Sequence, residues 1–268
     1  MSDWLTDDIV VNGIRIHYTR TGGGGPPLVL AHGWTDNARC WTRVAKVLQA
    51  DHDVIMYDAR GHGLSEDGPS PYTREDMARD AIALIEALHL GKPGLMGHSM
   101  GAAMAALAAS FFPEALSYVI LVDPPWFTPE VMEARHREHA NAAQRRQSKT
   151  REKLITEFKT RFPNWHPDDL EGWLEAKEQM KMHRTAWRHG DESPWQEVAR
   201  GITCPALLVT GDPERGALVT PEVAQEVVGL MARGRIAYVP GAPHNIRWAC
   251  FEPFMEAIQA FLAEMRAA

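Results

Sequence analysis

The sequence predicts an α/β fold: a mostly parallel sheet of eight strands flanked by helices, with one helical insertion. Three observations support this. Short apolar β-type runs alternate with longer stretches of helical periodicity, the pattern of a sheet covered on both faces. The buried-type runs end in loops rich in Gly, Asp, His and Ser, so polar residues gather at the C-terminal strand ends, where open α/β sheets keep their sites. From residue 126 to 198 the apolar runs stop, and charged helical sequence with five of the nine tryptophans takes their place.

Taken in order, residues 9–11 and 14–18 are β-rich runs joined by Asn12-Gly13, a hairpin signal. The glycines 22–25 lack the Lys-Ser/Thr and the helix of a phosphate loop and read as a flexible connection. Residues 28–31 form an apolar strand ending in His32-Gly33-Trp34-Thr35-Asp36-Asn37, with a helix over 38–48. Gly33 lets the chain turn so that the Trp34 N–H can face a site, and His32 reads as a structural hydrogen bonder. Strand 54–57 leads into Asp58-Ala59-Arg60-Gly61-His62-Gly63-Leu64-Ser65, a hydrogen-bonded loop that braces its neighbours. Residues 72–90 form an amphipathic helix carrying Met77, Ala81, Ile82, Leu84, Ile85 and Leu88 at mostly helical spacing.

Strand 118–122 ends in Asp123-Pro124-Pro125-Trp126, where two prolines direct the chain out of the sheet. The insertion then carries helices over 132–147, 149–161, 167–189 and 194–198. His136 and His139 have the separation of a metal pair, but the interleaved Arg135 and Arg137 mark a solvated face, so no metal is expected. The core resumes with strand 206–210, helix 221–231, strand 236–239 and a closing helix over 248–265. The expected division is a core of residues 1–123 and 199–268, with 124–198 forming a helical lid over the strand ends.

Composition narrows the function classes. A formal charge of −7 argues against nucleic acid or an anionic membrane as partner, and no apolar run reaches the ~20 residues of a membrane span. The N-terminus lacks the basic and apolar regions of a secretory signal. Three widely spaced cysteines, Cys40, Cys204 and Cys250, fit a reducing cytoplasm better than a disulfide framework. The expectation is a cytoplasmic monomer or small homo-oligomer acting on a small molecule.

The chemistry centres on Gly94-Leu95-Met96-Gly97-His98-Ser99-Met100-Gly101-Ala102-Ala103. A strand, one serine between glycines, and a helix imply a sharp turn with Ser99 in a strained conformation at the helix N-terminus. Small residues are needed because the strand and helix backbones nearly touch. Orphan N–H groups and the helix dipole there favour a developing oxyanion. His244, in the Pro240-Gly241-Ala242-Pro243-His244-Asn245 loop, stands where a mobile base is wanted.

With HGW, DxRGHGxS, GHSMG and PGAPH in this order, the chain resembles the α/β-hydrolase family over all but the details of residues 127–198. The resemblance implies Ser99 as nucleophile, His244 as base, and the backbone N–H groups of Trp34 and Met100 as oxyanion hole. In most of the family the acid follows the strand that here ends at Gly211. That region reads GDPERGALVTP, offering Asp212 or Glu214, while Ala217 stands where many relatives carry Asp. In some relatives, haloalkane dehalogenases and zearalenone-lactonase-like hydrolases, the acid follows the preceding strand, the place of Asp123. The order of preference is Asp123, Glu214, Asp212. Trp126, Trp187 and Trp248 are assigned to the substrate pocket, and no cofactor is implied. The expected activity is a metal-independent serine hydrolase of a medium-sized, largely apolar carboxylic ester or lactone. The alternatives are a ligand receptor on the same fold, or the same triad used on a carbon–carbon, thioester, amide or carbamate bond.

Overall fold

The eight strands form one sheet in the order β1-β2-β4-β3-β5-β6-β7-β8. They are β1 (Leu5–Val11), β2 (Ile14–Arg20), β3 (Pro27–Ala31), β4 (Asp53–Tyr57), β5 (Gly94–His98), β6 (Tyr118–Val122), β7 (Ala206–Thr210) and β8 (Gly234–Tyr238). The β1–β2 and β2–β4 pairs are antiparallel and every other pair is parallel. The structure is a computed structural model that describes residues 4–69, 71–127, 131, 149–180 and 193–267. The expected helix over 132–147, with His136 and His139, and Trp187 lie outside the described residues.

Side-chain alternation along the central strands builds a core on each face. On one face Val29, Ile55, Leu95, Leu121 and Leu208 pack against α2 (Arg74–Ala87), α3 (Met100–Phe111), α6 (Trp195–Gly201) and α7 (Pro221–Leu230). On the other, Leu30, Met56, Met96, Ile120 and Val209 meet α1 (Thr42–Leu48) and α9 (Phe251–Ala267). Each such Leu or Ile removed from water stabilises the fold by about 1.5–3 kcal/mol.

Between β6 and β7 the described residues add α4 (Arg151–Arg161) and α5 (Pro167–Glu178) ahead of α6. Leu154, Phe158, Leu170, Trp173 and Leu174 of this insertion form a third cluster with Cys40 and with Trp248 of α8 (Ile246–Ala249). The insertion is thus anchored to the core beside the segments that follow β3 and His244.

Several element bounds differ from expectation, each for a local reason. β1 begins at Leu5 rather than Ile9, because pairing from Leu5↔Arg20 to Val11↔Ile14 carries the polar Thr6-Asp7-Asp8 into the ladder. The helix expected over 72–90 starts at Arg74, fixed by a reciprocal capping box between Thr73 and Asp76. The 38–48 segment opens as a 3₁₀ turn, Ala38–Trp41. The closing helix divides at Cys250 into α8 and α9. Part of the glycine run is packed: the Gly22 N–H donates to Asp53 Oδ1 (3.0 Å), and Gly23 and Gly25 lie against the Asp51–His52 backbone. No described helix is long and apolar enough to cross a membrane.

Candidate active site

Ser99 stands between β5 and α3 with φ 53° and ψ −116°, a conformation that costs a non-glycine residue about 1–3 kcal/mol. Its neighbours hold it there. The Ser99 N–H donates to the Val122 carbonyl of β6 (2.9 Å), and its own carbonyl accepts from Ala102 and Ala103 in the first turn of α3. A Cβ at Gly97 would stand 2.1 Å from the Gly101 oxygen, and one at Gly101 2.3 Å from the Ala31 oxygen. Three backbone segments therefore meet at contact distance around the serine. The side chain is half-buried, and its hydroxyl makes no hydrogen bond among the described residues.

One strand over, Asp123 follows β6 and is fully buried, also with positive φ (46°). Its carboxylate accepts from the Leu218 and Val219 N–H groups (2.9–3.0 Å) and, through Oδ2, from His244 Nδ1 (2.7 Å). A carboxylate only accepts here, so the His244 proton sits on Nδ1 and Nε2 offers its lone pair. The loop after β7, which holds the other two candidate acids, supplies two backbone donors that fix Asp123. Asp212 is engaged locally, accepting from the Glu214 N–H (3.1 Å) at the start of a short 3₁₀ turn, and Glu214 is exposed.

Met100 is the first residue of α3, so its N–H has no intrahelical carbonyl to pair with. Trp34 lies in the loop after β3, and its carbonyl is held by His62 Nε2 (2.9 Å), while His62 Nδ1 contacts the Arg60 carbonyl (2.8 Å). His32 accepts from the Ala59 N–H (3.0 Å), and Asp58 accepts from the Ala38 and Leu64 N–H groups. The DxRGHGxS loop thus braces the segment bearing Trp34.

Trp126 is buried and stacks on Trp195 at 5.9 Å between ring centroids. Trp248 is buried in the insertion cluster against Phe158 and Phe162.

Two features were not legible in the motifs. First, Asp36, Arg247 and Lys177 form a buried ion cluster. Arg247 Nη2 lies 2.9 Å and Lys177 Nζ 3.6 Å from the Asp36 carboxylate, and Lys177 also donates to the Thr35 carbonyl and hydroxyl. Burial alone would raise the Asp36 carboxyl, but the two cations more than reverse this and hold it well below the usual carboxylate range. The cluster links α5, the segment after Trp34, and the helix after His244. Second, His98 lies against His244, with ring centroids 4.7 Å apart. A histidine ending an apolar strand beside the elbow, and an arginine three residues after His244, were the available signals.

The family model described as "Alpha/beta hydrolase family" matches residues 28–260. The chain is 31% identical to N-formylmaleamate deformylase of Pseudomonas putida across 95% of each chain. It is 28% identical to 2-(acetamidomethylene)succinate hydrolase of Mesorhizobium japonicum, across 91% of this chain and 90% of the relative. The crystal structure of E-2-(acetamidomethylene)succinate hydrolase superposes with a TM-score of 0.80 at 25% identity, covering 97% of this chain and 99% of the other. A match over most of the length, on this sheet order, identifies the chain as a hydrolase belonging to the alpha/beta hydrolase family.

Proposed function

We propose that this chain hydrolyses an acyl bond of a small molecule through an acyl-enzyme on Ser99. The observation that carries the reading is the Asp123–His244 hydrogen bond, formed beside a serine held at positive φ on the neighbouring strand end. In this reading Ser99 Oγ attacks the substrate carbonyl while His244 Nε2 takes its proton. Asp123 holds the imidazole in the Nδ1–H tautomer and stabilises the imidazolium. The Trp34 and Met100 N–H groups receive the oxyanion, each such donor being worth about 3–4 kcal/mol at the transition state. Collapse of the tetrahedral adduct breaks the acyl bond, and His244 returns the proton to the leaving heteroatom. Water then attacks the acyl-enzyme by the same route, releasing the acid and restoring Ser99.

For the bond itself, a carboxylic ester or lactone is the first reading, with residues 124–198 serving as lid and Trp126 as pocket wall. A second reading is an N-acyl amide, favoured by the two relatives, whose names both describe N-acylated acids. It demands more of His244, since an amide nitrogen must be protonated before it can leave. The same machinery is also compatible with a slow-turnover receptor. A panel of p-nitrophenyl esters, lactones, formamides and acetamides, run on wild type and Ser99→Ala, separates these readings. Repeated turnover of esters and lactones above the amides supports the first and amide preference the second. Single slow turnover throughout points to a receptor, and equal rates in Ser99→Ala overturn the serine mechanism.

A further inference from the structure

His98 has no part in the chemistry above, yet its side chain touches all three loops that build the site. It is covalently next to Ser99. Its Nε2 lies 3.0 Å from the His244 carbonyl oxygen, and its ring is tilted 35° from that of His244 at 4.7 Å. On its other side is Gly33, which precedes Trp34. A Cβ at Gly33 would stand 3.1 Å from His98 Nδ1 and 3.3 Å from Asp36 Oδ2, so that glycine leaves room for the ring.

The partners dictate the tautomer. A carbonyl oxygen only accepts, so Nε2 carries the proton and Nδ1 the lone pair. Nδ1 is buried and has no hydrogen-bond partner among the described residues. Burial, reinforced by the Arg247 and His244 charges, pushes the ring well below the ordinary histidine range, although Asp36 and the His244 carbonyl act in the opposite sense. His98 therefore stays neutral and keeps this one tautomer while His244 gains and loses a proton.

We propose that His98 is a positioning residue for the base: its Nε2–H fixes the His244 backbone and its ring backs the His244 imidazole. The residue before Ser99 thereby sets where the proton acceptor of Ser99 stands. This rests on the reading of Ser99 and His244 as nucleophile and base. Asp123 fixes the His244 ring through Nδ1 from one side, and His98 fixes its main chain from another.

The donor and the ring can be separated by substitution. Gln places an amide N–H near the position of His98 Nε2, Phe keeps the ring without the donor, and Ala has neither. With p-nitrophenyl acetate, and with kcat counted per active site titrated by the p-nitrophenol burst, His98→Ala and His98→Phe should each lose about 10²-fold, the scale of a misplaced reacting group. His98→Gln should stay within about tenfold of wild type, with KM little changed in all three. A part limited to filling space predicts instead that Phe restores the per-site kcat and that only the active fraction or Tm falls. A His98→Phe kcat within about twofold of wild type, or a His98→Gln loss as large as that of Phe, overturns the proposal. In wild type, ¹⁵N NMR should show His98 as the neutral Nε2–H tautomer down to about pH 6, below the ordinary histidine midpoint. An imidazolium or an Nδ1–H tautomer there also overturns it. Ser99→Ala is the independent control: turnover in that variant defeats the nucleophile reading whatever His98 does.

Discussion

Asp123 and His244, 121 residues apart, are joined by a 2.7 Å hydrogen bond from Nδ1 to Oδ2, while two backbone N–H groups of the β7–α7 loop hold the same carboxylate. In the proposed mechanism the acid therefore follows β6, and the loop after β7 holds it. Asp123→Asn should lower kcat about 10³–10⁴-fold by removing the tautomer control on His244. Glu214→Gln and Asp212→Asn should stay within a few-fold. Steady-state kinetics of the three variants, run side by side, checks this. Near-wild-type rates for Asp123→Asn with collapse of either other variant would move the acid to the β7 loop.

The elbow has no room for a single methyl group. Gly101→Ala places a Cβ 2.3 Å from the Ala31 oxygen, and neither backbone can yield without moving β3 or α3. We expect a loss of about 3 kcal/mol or more, or failure to fold, from this one-carbon change. Gly229→Ala, where a Cβ meets nothing within 4 Å, is the matched control and should not destabilise. Urea unfolding of both variants reads the contrast.

The Asp36–Arg247–Lys177 cluster makes an ordered prediction. Asp36→Asn leaves two cations without their shared anion and should cost about 3–5 kcal/mol. Lys177→Met keeps the Asp36–Arg247 pair at 2.9 Å and should cost less, while loosening α5 from Thr35. Chemical denaturation gives the order, and hydrogen exchange at α5 shows whether the insertion detaches locally. Equal losses in the two variants would contradict this order, and a larger loss in Lys177→Met would make Lys177 the dominant member.

Stability should fall with acid because of His98. Its folded-state pKa is depressed, so below about pH 6.5 the unfolded chain binds a proton that the folded chain refuses. Stability is then lost as pH drops from that point toward the folded-state value, at up to about 1.4 kcal/mol per pH unit. His98→Gln, which cannot titrate, should flatten the curve by up to one proton's worth. Urea midpoints from about pH 7.5 to 5.5 in wild type and variant test this, and parallel curves would contradict it. His52, buried and also lowered, keeps some slope in both.

Much of this architecture was legible because local signals and tertiary structure agree. The runs at 28–31, 54–57, 118–122 and 206–210 are apolar on both sides because both faces of those strands are covered. Asn12-Gly13 takes positive φ at both residues, as the hairpin requires. The Asp123–His244 contact was reachable from chain order plus the odd spacing after Gly211, since Ala217 carries no carboxylate. The ion cluster and the His98–His244 pair were not legible. Asp36, Lys177 and Arg247 lie on three separate elements, and only the fold shows that they share one dry volume. His98 was hidden by the motif itself, where the residue before the serine reads as a variable position. The break at Cys250 was missed because apolar spacing continues across it while the backbone does not.

If Ser99 carries the acyl group, its adduct can be trapped. Wild type, incubated with a fluorophosphonate or a slow p-nitrophenyl ester and measured by intact-protein mass spectrometry, should gain one adduct per chain. Peptide mapping should place that adduct on Ser99, Ser99→Ala should gain none, and Asp123→Asn should label far more slowly. Stoichiometric adduct on another residue, or equal labelling of Ser99→Ala, would contradict the account.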